Sequence, residues 1–153
     1  MNQIFDIVVI GAGPAGNSAA FHLAKSGYSV AVIDKRQEIG NKLCTGIIGN
    51  NCVELFYPEP SHIYKKVKSA TVVTPTGTAH SITKPDIQGY IVNRAAYVSS
   101  IGKKAQDIGA TYLLGKTVTN IYSNSSLASV EFKTDGIRES LNCKVIIIAT
   151  GFN

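Results

Sequence analysis

Residues Ile4–Arg36 read IFDIVVIGAGPAGNSAAFHLAKSGYSVAVIDKR, and they carry the clearest structural pattern in the chain. Ile4 to Ile10 is a nearly unbroken apolar run, the signature of a strand covered on both faces of a parallel sheet. Gly11, Gly13 and Gly16 follow as G-x-G-x-x-G, with Ala12, Pro14 and Ala15 between them. Pro14 suits the first turn of a helix, where its missing N–H costs nothing. Ala20, Leu23 and Ala24 give that helix an apolar face, and Gly27 supplies a C-terminal stop. Ser29 to Ile33 returns as a second strand that ends on Asp34, completing a βαβ unit.

Each part of this pattern has a chemical reason. Gly11 permits the tight turn, Gly13 lets backbone approach a pyrophosphate closely, and Gly16 lets helix and strand pack. The helix N-terminus adds N–H donors and positive potential for the phosphates. Asp34 can accept hydrogen bonds from ribose hydroxyls, and its charge would repel a 2′-phosphate. The motif predicts a dinucleotide site. It does not separate NAD from FAD.

Beyond Arg36 the pattern changes. Val67–Thr74 and Thr78–Thr83 flank TPTG and predict a β-hairpin. Gly89–Val92 reads as a short strand, and Asn93 caps a helix to about Ile108 with Val98, Ile101, Ala105 and Ile108 on one stripe. GATYLL predicts a further parallel strand. Segments 116–123, 127–133 and 137–141 follow as β, the last two joined by TDG, and then CKVIIIATG. The predicted fold is α/β and Rossmann-like, with a central parallel sheet, an antiparallel β-meander crossover and an inserted hairpin.

The 153 residues, 44% apolar and 16% charged, describe an ordinary globular domain. The net charge of +5 is dispersed apart from Lys65, Lys66 and Lys68, which reads as a solvated face and not a nucleic-acid surface. The N-terminus shows no basic leader, no run is long enough to span a membrane, and a cytoplasmic location is expected. Three cysteines without a CxxC fit a reducing compartment. His22, His62 and His80 are isolated, and no metal is expected. Cys44 is a candidate reactive thiol if a cation such as Lys42 lowers its pKa, and equally a small packing residue in a tight loop. Cys52 and Cys143 read as core.

Five segments, DIVVIGAGPAGNSAA, VIDKRQEIG, CTGIIG, GYIVNRAAY and KVIIIATG, resemble p-hydroxybenzoate hydroxylase-like flavoproteins in order and spacing. CTGIIG and YIVNR narrow the resemblance to the geranylgeranyl reductase family of FAD-dependent oxidoreductases. The resemblance implies FAD, with Gly11–Gly16 at its pyrophosphate and Asp34 at the adenosine ribose. Lys35 and Arg36 would flank adenine, Val118 would contact it through backbone, and Ala149, Thr150 and Gly151 would close over the adenosine half. Cys44, Thr45 and Gly46 would lie toward the isoalloxazine. Arg94 would reach the phosphate–ribityl region, unless it is simply a surface helix arginine.

For the parent enzyme the resemblance implies a prenyl or lipid substrate, NAD(P)H or ferredoxin as electron donor, and peripheral contact with a membrane. The chain is expected to be the N-terminal part of that enzyme over residues 1–153, with 66–84 starting a substrate-domain sheet. Alone it should bind FAD weakly or not at all, and not turn over. An aromatic monooxygenase or halogenase of the same fold, and a non-catalytic dinucleotide-binding fragment, are the alternatives.

Overall fold

A computed structural model describes residues 4–152; Met1–Gln3 and Asn153, with the expected domain limits at both ends, lie outside the described residues. Contacts divide the chain into two compact units. The first runs to Asn41 and resumes at Val98, and the second is Lys42–Tyr97.

The first unit opens with β1 (Ile4–Ile10), α1 (Pro14–Lys25) and β2 (Val30–Asp34), as the sequence predicts. The exit of α1 shows why Gly27 was needed. Its φ is +87°, and Gly27 N–H donates to the Ala24 carbonyl while Tyr28 N–H donates to that of Leu23. This pair of bonds closes a helix end on a left-handed residue that glycine adopts without strain.

The second unit holds β3 (Ile47–Gly49), α2 (Asn50–Phe56), a 3-10 turn at Pro60–His62, β4 (Ile63–Val67), β5 (Ser69–Val73), β6 (Ala79–Thr83) and β7 (Gly89–Val92). β3, β7 and β4 form a three-stranded antiparallel sheet, and β5 and β6 form the expected hairpin. Its turn follows TPTG: Gly77 N–H donates to the Thr74 carbonyl, with Pro75 at the corner it favours. Val67, expected to start the hairpin, instead ends β4 and pairs with Gly89. β3, α2 and β4 were not predicted; they are short, and none shows a sustained period.

α3 (Arg94–Asp107) begins where Asn93 predicts, and the Asn93 side-chain oxygen accepts the Ala96 N–H at 3.1 Å. Val98 and Ala105 are fully buried, whereas Ile108 lies past the helix end and is exposed. β8 (Thr111–Leu114), β9 (Thr117–Ser123), β10 (Ala128–Thr134) and β11 (Ile137–Ile148) complete the first unit.

The main sheet has the order β8-β2-β1-β11-β10-β9. β8, β2, β1 and β11 run parallel, while β9 and β10 are antiparallel additions at one edge. The expected strands at 137–141 and CKVIII are one strand, β11. Its first half pairs antiparallel with β10 and its second half parallel with β1. Asp135 and Gly136, both at positive φ, make the two-residue turn into it.

Alternate residues of β1 feed two cores, as the period of two requires. Val8 and Ile10 pack with Ala31, Ile33, Val130 and Phe132. Val9 packs with Val32, Ala20 of α1 and Ala105 of α3. Each fully buried aliphatic side chain contributes about 1.5–3 kcal/mol. The start of the parallel sheet is tied by charge: the Lys144 ammonium lies 2.7 Å from Asp6, whose carboxylate also accepts the Ser29 N–H and hydroxyl.

Candidate functional site

β1 ends at Ile10, and the chain turns at Gly11 with φ +110°. A methyl group on Gly11 would lie 2.5 Å from the Ala149 carbonyl oxygen, and one on Gly16 would lie 1.8 Å from that of Gly11. Both glycines are therefore required by close backbone approach. Gly13 differs, since a methyl group there would meet nothing within 4 Å. The space beside it is open, and as N-cap of α1 it offers no side-chain hydrogen bond to the first turn.

The second turn, Ala149–Gly151, sits directly against the first. Ala149 N–H donates to the Ile10 carbonyl at 2.8 Å. Asp34 closes the other side. Its carboxylate accepts the Ala12 N–H at 2.7 Å and the Arg36 N–H at 2.8 Å, and the Arg36 guanidinium lies 3.6 Å away. Only 8% of Asp34 is exposed. The sequence reading placed Asp34 against a ribose; the structure adds that it braces the glycine turn. Each carboxylate oxygen retains a lone pair for a ligand hydroxyl.

These elements enclose a cleft of about 190 Å³ lined by Gly11, Asp34, Lys35, Arg36, Val118 and Thr150, among others. Lys116 and Thr117 also line it, and the sequence reading missed both. Lys116 is held in place: its ammonium bonds Glu139 at 2.5 Å and the Thr134 hydroxyl at 2.9 Å, and lies over the Phe132 ring. That bond holds the Glu139 carboxyl below its usual range.

Behind the turn lies a residue that the sequence reading also passed over. Asn17 is fully buried, with its Nδ2 donating to the carbonyls of Ala12 and Val98 and its Oδ1 accepting from the Tyr112 hydroxyl. One signal was available: Asn17 falls three and seven residues before Ala20 and Ala24, a polar residue on the apolar face of α1. Gly102 in α3 makes room for it, since a methyl group there would approach Asn17 Nδ2 to 3.4 Å and the Ile39 side chain to 2.7 Å. Burial raises the Tyr112 hydroxyl pKa well above its ordinary value, so it stays protonated and donates.

The remaining candidates belong to the second unit. Cys44 is exposed, and its thiol is lowered first by a hydrogen bond from the Gly46 backbone and then by the charge of Arg94. The cation that lowers it is thus Arg94 and not Lys42, whose carbonyl accepts from the Arg94 guanidinium at 3.2 Å. Gly46, at φ +71°, would clash with the Val92 carbonyl if it carried a side chain. Cys44, Thr45, Gly46 and Arg94 are therefore brought together. Cys143 is core, as expected, and burial pushes its thiol up. Cys52 is only half buried, against expectation, and lies beside Tyr97, whose hydroxyl is pushed up to about 12 by burial and this neighbour. No helix among the described residues is long and apolar enough to cross a membrane.

A strand–glycine turn–helix, a second turn beside it, and an acid at the end of the next strand define a Rossmann-like α/β domain of the kind found in FAD-binding oxidoreductases. The family model for pyridine nucleotide-disulphide oxidoreductase matches residues 5–153, and the chain belongs to that family. It is 30% identical over 154 residues to the digeranylgeranylglycerophospholipid reductase of Methanocaldococcus jannaschii, covering 99% of this chain and 39% of the relative. The crystal structure of a geranylgeranyl bacteriochlorophyll reductase-like protein from Thermoplasma acidophilum matches with a TM-score of 0.84 at 22% identity, covering 99% of this chain and 40% of that one. The p-nitrophenol 4-monooxygenase of Pseudomonas putida matches with a TM-score of 0.76 at 15% identity, covering 99% and 42%. These two structural likenesses speak to the fold. The chain spans about two fifths of the length of the relatives it matches.

Proposed function

We propose that this chain is the FAD-binding portion of a longer oxidoreductase that reduces isoprenoid double bonds in a prenylated lipid. The observation that carries the reading is the cleft between the Gly11 turn, Asp34–Arg36, Val118 and Thr150. The open space at Gly13 fits a pyrophosphate, and the Asp34 carboxylate fits a ribose hydroxyl. Similarity over nearly the whole chain to a digeranylgeranylglycerophospholipid reductase supports the substrate class.

In this reading Gly11, Ala12, Gly13, Pro14, Ala15 and Gly16 hold the pyrophosphate, and Asp34 holds the adenosine ribose. Lys35, Arg36 and Val118 border the adenine, with Ala149, Thr150 and Gly151 closing over the adenosine. Within the second unit, Arg94 beside Cys44, Thr45 and Gly46 is assigned a contact with the phosphate–ribityl part. The hairpin within 66–84 starts the substrate-domain sheet. Bound FAD, once reduced, supplies hydride; the protein supplies position and exclusion of water. The protein works in the cytoplasm with peripheral contact to a membrane, and draws electrons from NAD(P)H or ferredoxin.

The test has two stages. Calorimetric titration of residues 1–153 with ADP and FAD should show weak binding of both, without turnover. The polypeptide extended to the length of the relatives should purify yellow and reduce a geranylgeranyl lipid when given a chemical reductant. A colourless extended protein that binds NAD in preference would overturn the reading.

A further inference from the structure

The buried Asn17 network has a direction that bears on ligand binding. Asn17 donates from Nδ2 to the Ala12 carbonyl at 3.1 Å, on the core side of the glycine turn. In a trans, planar peptide the carbonyl and the following N–H point in opposite directions. Anchoring the Ala12 carbonyl on buried Asn17 therefore turns the Gly13 N–H away from Asn17 and the core around it. The other end of Ala12 is anchored too, by its N–H to Asp34 at 2.7 Å. The peptide cannot rotate without breaking a buried bond.

The orientation of the Asn17 amide is itself decided by its neighbours. The Ala12 and Val98 carbonyls can only accept, so both contacts must be made by the NH2 group. The Tyr112 hydroxyl then donates to Oδ1 at 2.9 Å. Flipping the amide would set an oxygen against two carbonyls and leave the Tyr112 O–H without the acceptor it now has. The backbone adds a further tie, with Asn17 N–H donating to the Gly13 carbonyl at 2.9 Å.

We infer that Asn17, locked by Tyr112, is a positioning residue for the dinucleotide: it presents the Gly13 N–H to the pyrophosphate before ligand arrives. This inference rests on the proposed dinucleotide site. Preorganised donors strengthen binding because no reorganisation is needed on association. The effect is specific to the pyrophosphate, since adenosine does not reach Gly13.

The experiment is titration of the 153-residue chain with ADP and, separately, with adenosine, followed by amide chemical shifts. In the wild type, ADP should shift the Gly13 amide strongly and adenosine should leave it nearly unmoved. Asn17→Ala should weaken ADP at least tenfold while adenosine binding changes less than twofold. A purely structural role would weaken both ligands together. Should Asn17→Ala fail to fold, the double variant Asn17→Ala/Tyr112→Phe decides, because it removes both ends of the side-chain bond and orphans no buried hydroxyl. ADP affinity unchanged in either folded variant, or a Gly13 amide in the wild type that ignores bound ADP, would overturn the inference and leave the dinucleotide site standing. A wild-type chain that binds neither ligand would remove the site and the inference together.

Discussion

A methyl group on Gly16 would stand 1.8 Å from the carbonyl oxygen of Gly11, so α1 meets the end of β1 at a distance only glycine allows. The obstructing atom is backbone and cannot swing aside. Gly16→Ala should therefore destabilise the chain by about 3 kcal/mol, the upper range for overpacking a close contact. Gly13→Ala is the matched control, with φ −79° and nothing within reach of its methyl group. It should unfold in urea as the wild type does, yet weaken ADP binding. Equal stability of the Gly16→Ala chain would show that the helix can shift outward freely.

Asp34 accepts two backbone N–H groups, from Ala12 and Arg36. An amide at this position has one oxygen and must turn an NH2 group toward the other donor. Asp34→Asn should cost about 1–3 kcal/mol in stability, the scale of an unsatisfied buried donor. Chemical denaturation without ligand measures it. A loss under about 0.5 kcal/mol, on the same scale, would mean that the carboxylate serves only the ligand.

Acid should act through Asp6. Lys144 and the Ser29 hydroxyl and N–H hold its carboxyl well below the usual range. A lowered native pKa stabilises the folded chain above the unfolded value of about 3.9, and the contribution is lost as pH falls through the native value. Lys144 is raised by the same pair, so its share is present below about 10.4 and lost as pH rises through its native value. Between about pH 5 and pH 2 the wild type should lose more stability than Asp6→Asn. Parallel losses in thermal melts across that window would contradict the assignment.

The Cys44 thiol should react faster than an ordinary cysteine at neutral pH, because the Gly46 backbone and Arg94 favour its thiolate. Arg94→Ala should move the pH midpoint of its alkylation upward only in part, since the Gly46 hydrogen bond, the larger cause, remains. Site-resolved mass spectrometry after timed iodoacetamide treatment separates Cys44 from half-buried Cys52 and buried Cys143. A midpoint unmoved by Arg94→Ala would leave the hydrogen bonds from Gly46 and Thr45 as the whole cause.

The glycine turn and the strands around it were legible because their causes are local. An apolar run, three glycines at set spacing, a proline at the helix start and an acid at a strand end each act within a few residues of themselves. The Asn93 cap and the Asp135–Gly136 turn were legible for the same reason. In the second unit the β5–β6 hairpin and β7 were legible, but β3 and β4 were not, because short segments such as β4 carry no period and take their pairing from β7.

By itself, then, the sequence determined the βαβ start, the glycine turn, the second turn at Ala149–Gly151 and the residue types able to meet a dinucleotide. Tertiary structure decided which distant groups those residues touch. β11 became one strand because its two halves found different partners, β10 and β1. Lys116 was brought to the cleft by the turn from β8 to β9, where its N–H donates to the Asp34 carbonyl. Asn17 meets Val98 and Tyr112 across 81 and 95 residues. No local preference encodes such meetings. They follow from the packing of α1, α3 and β8, where a buried polar side chain must find partners or lose the free energy of its hydrogen bonds.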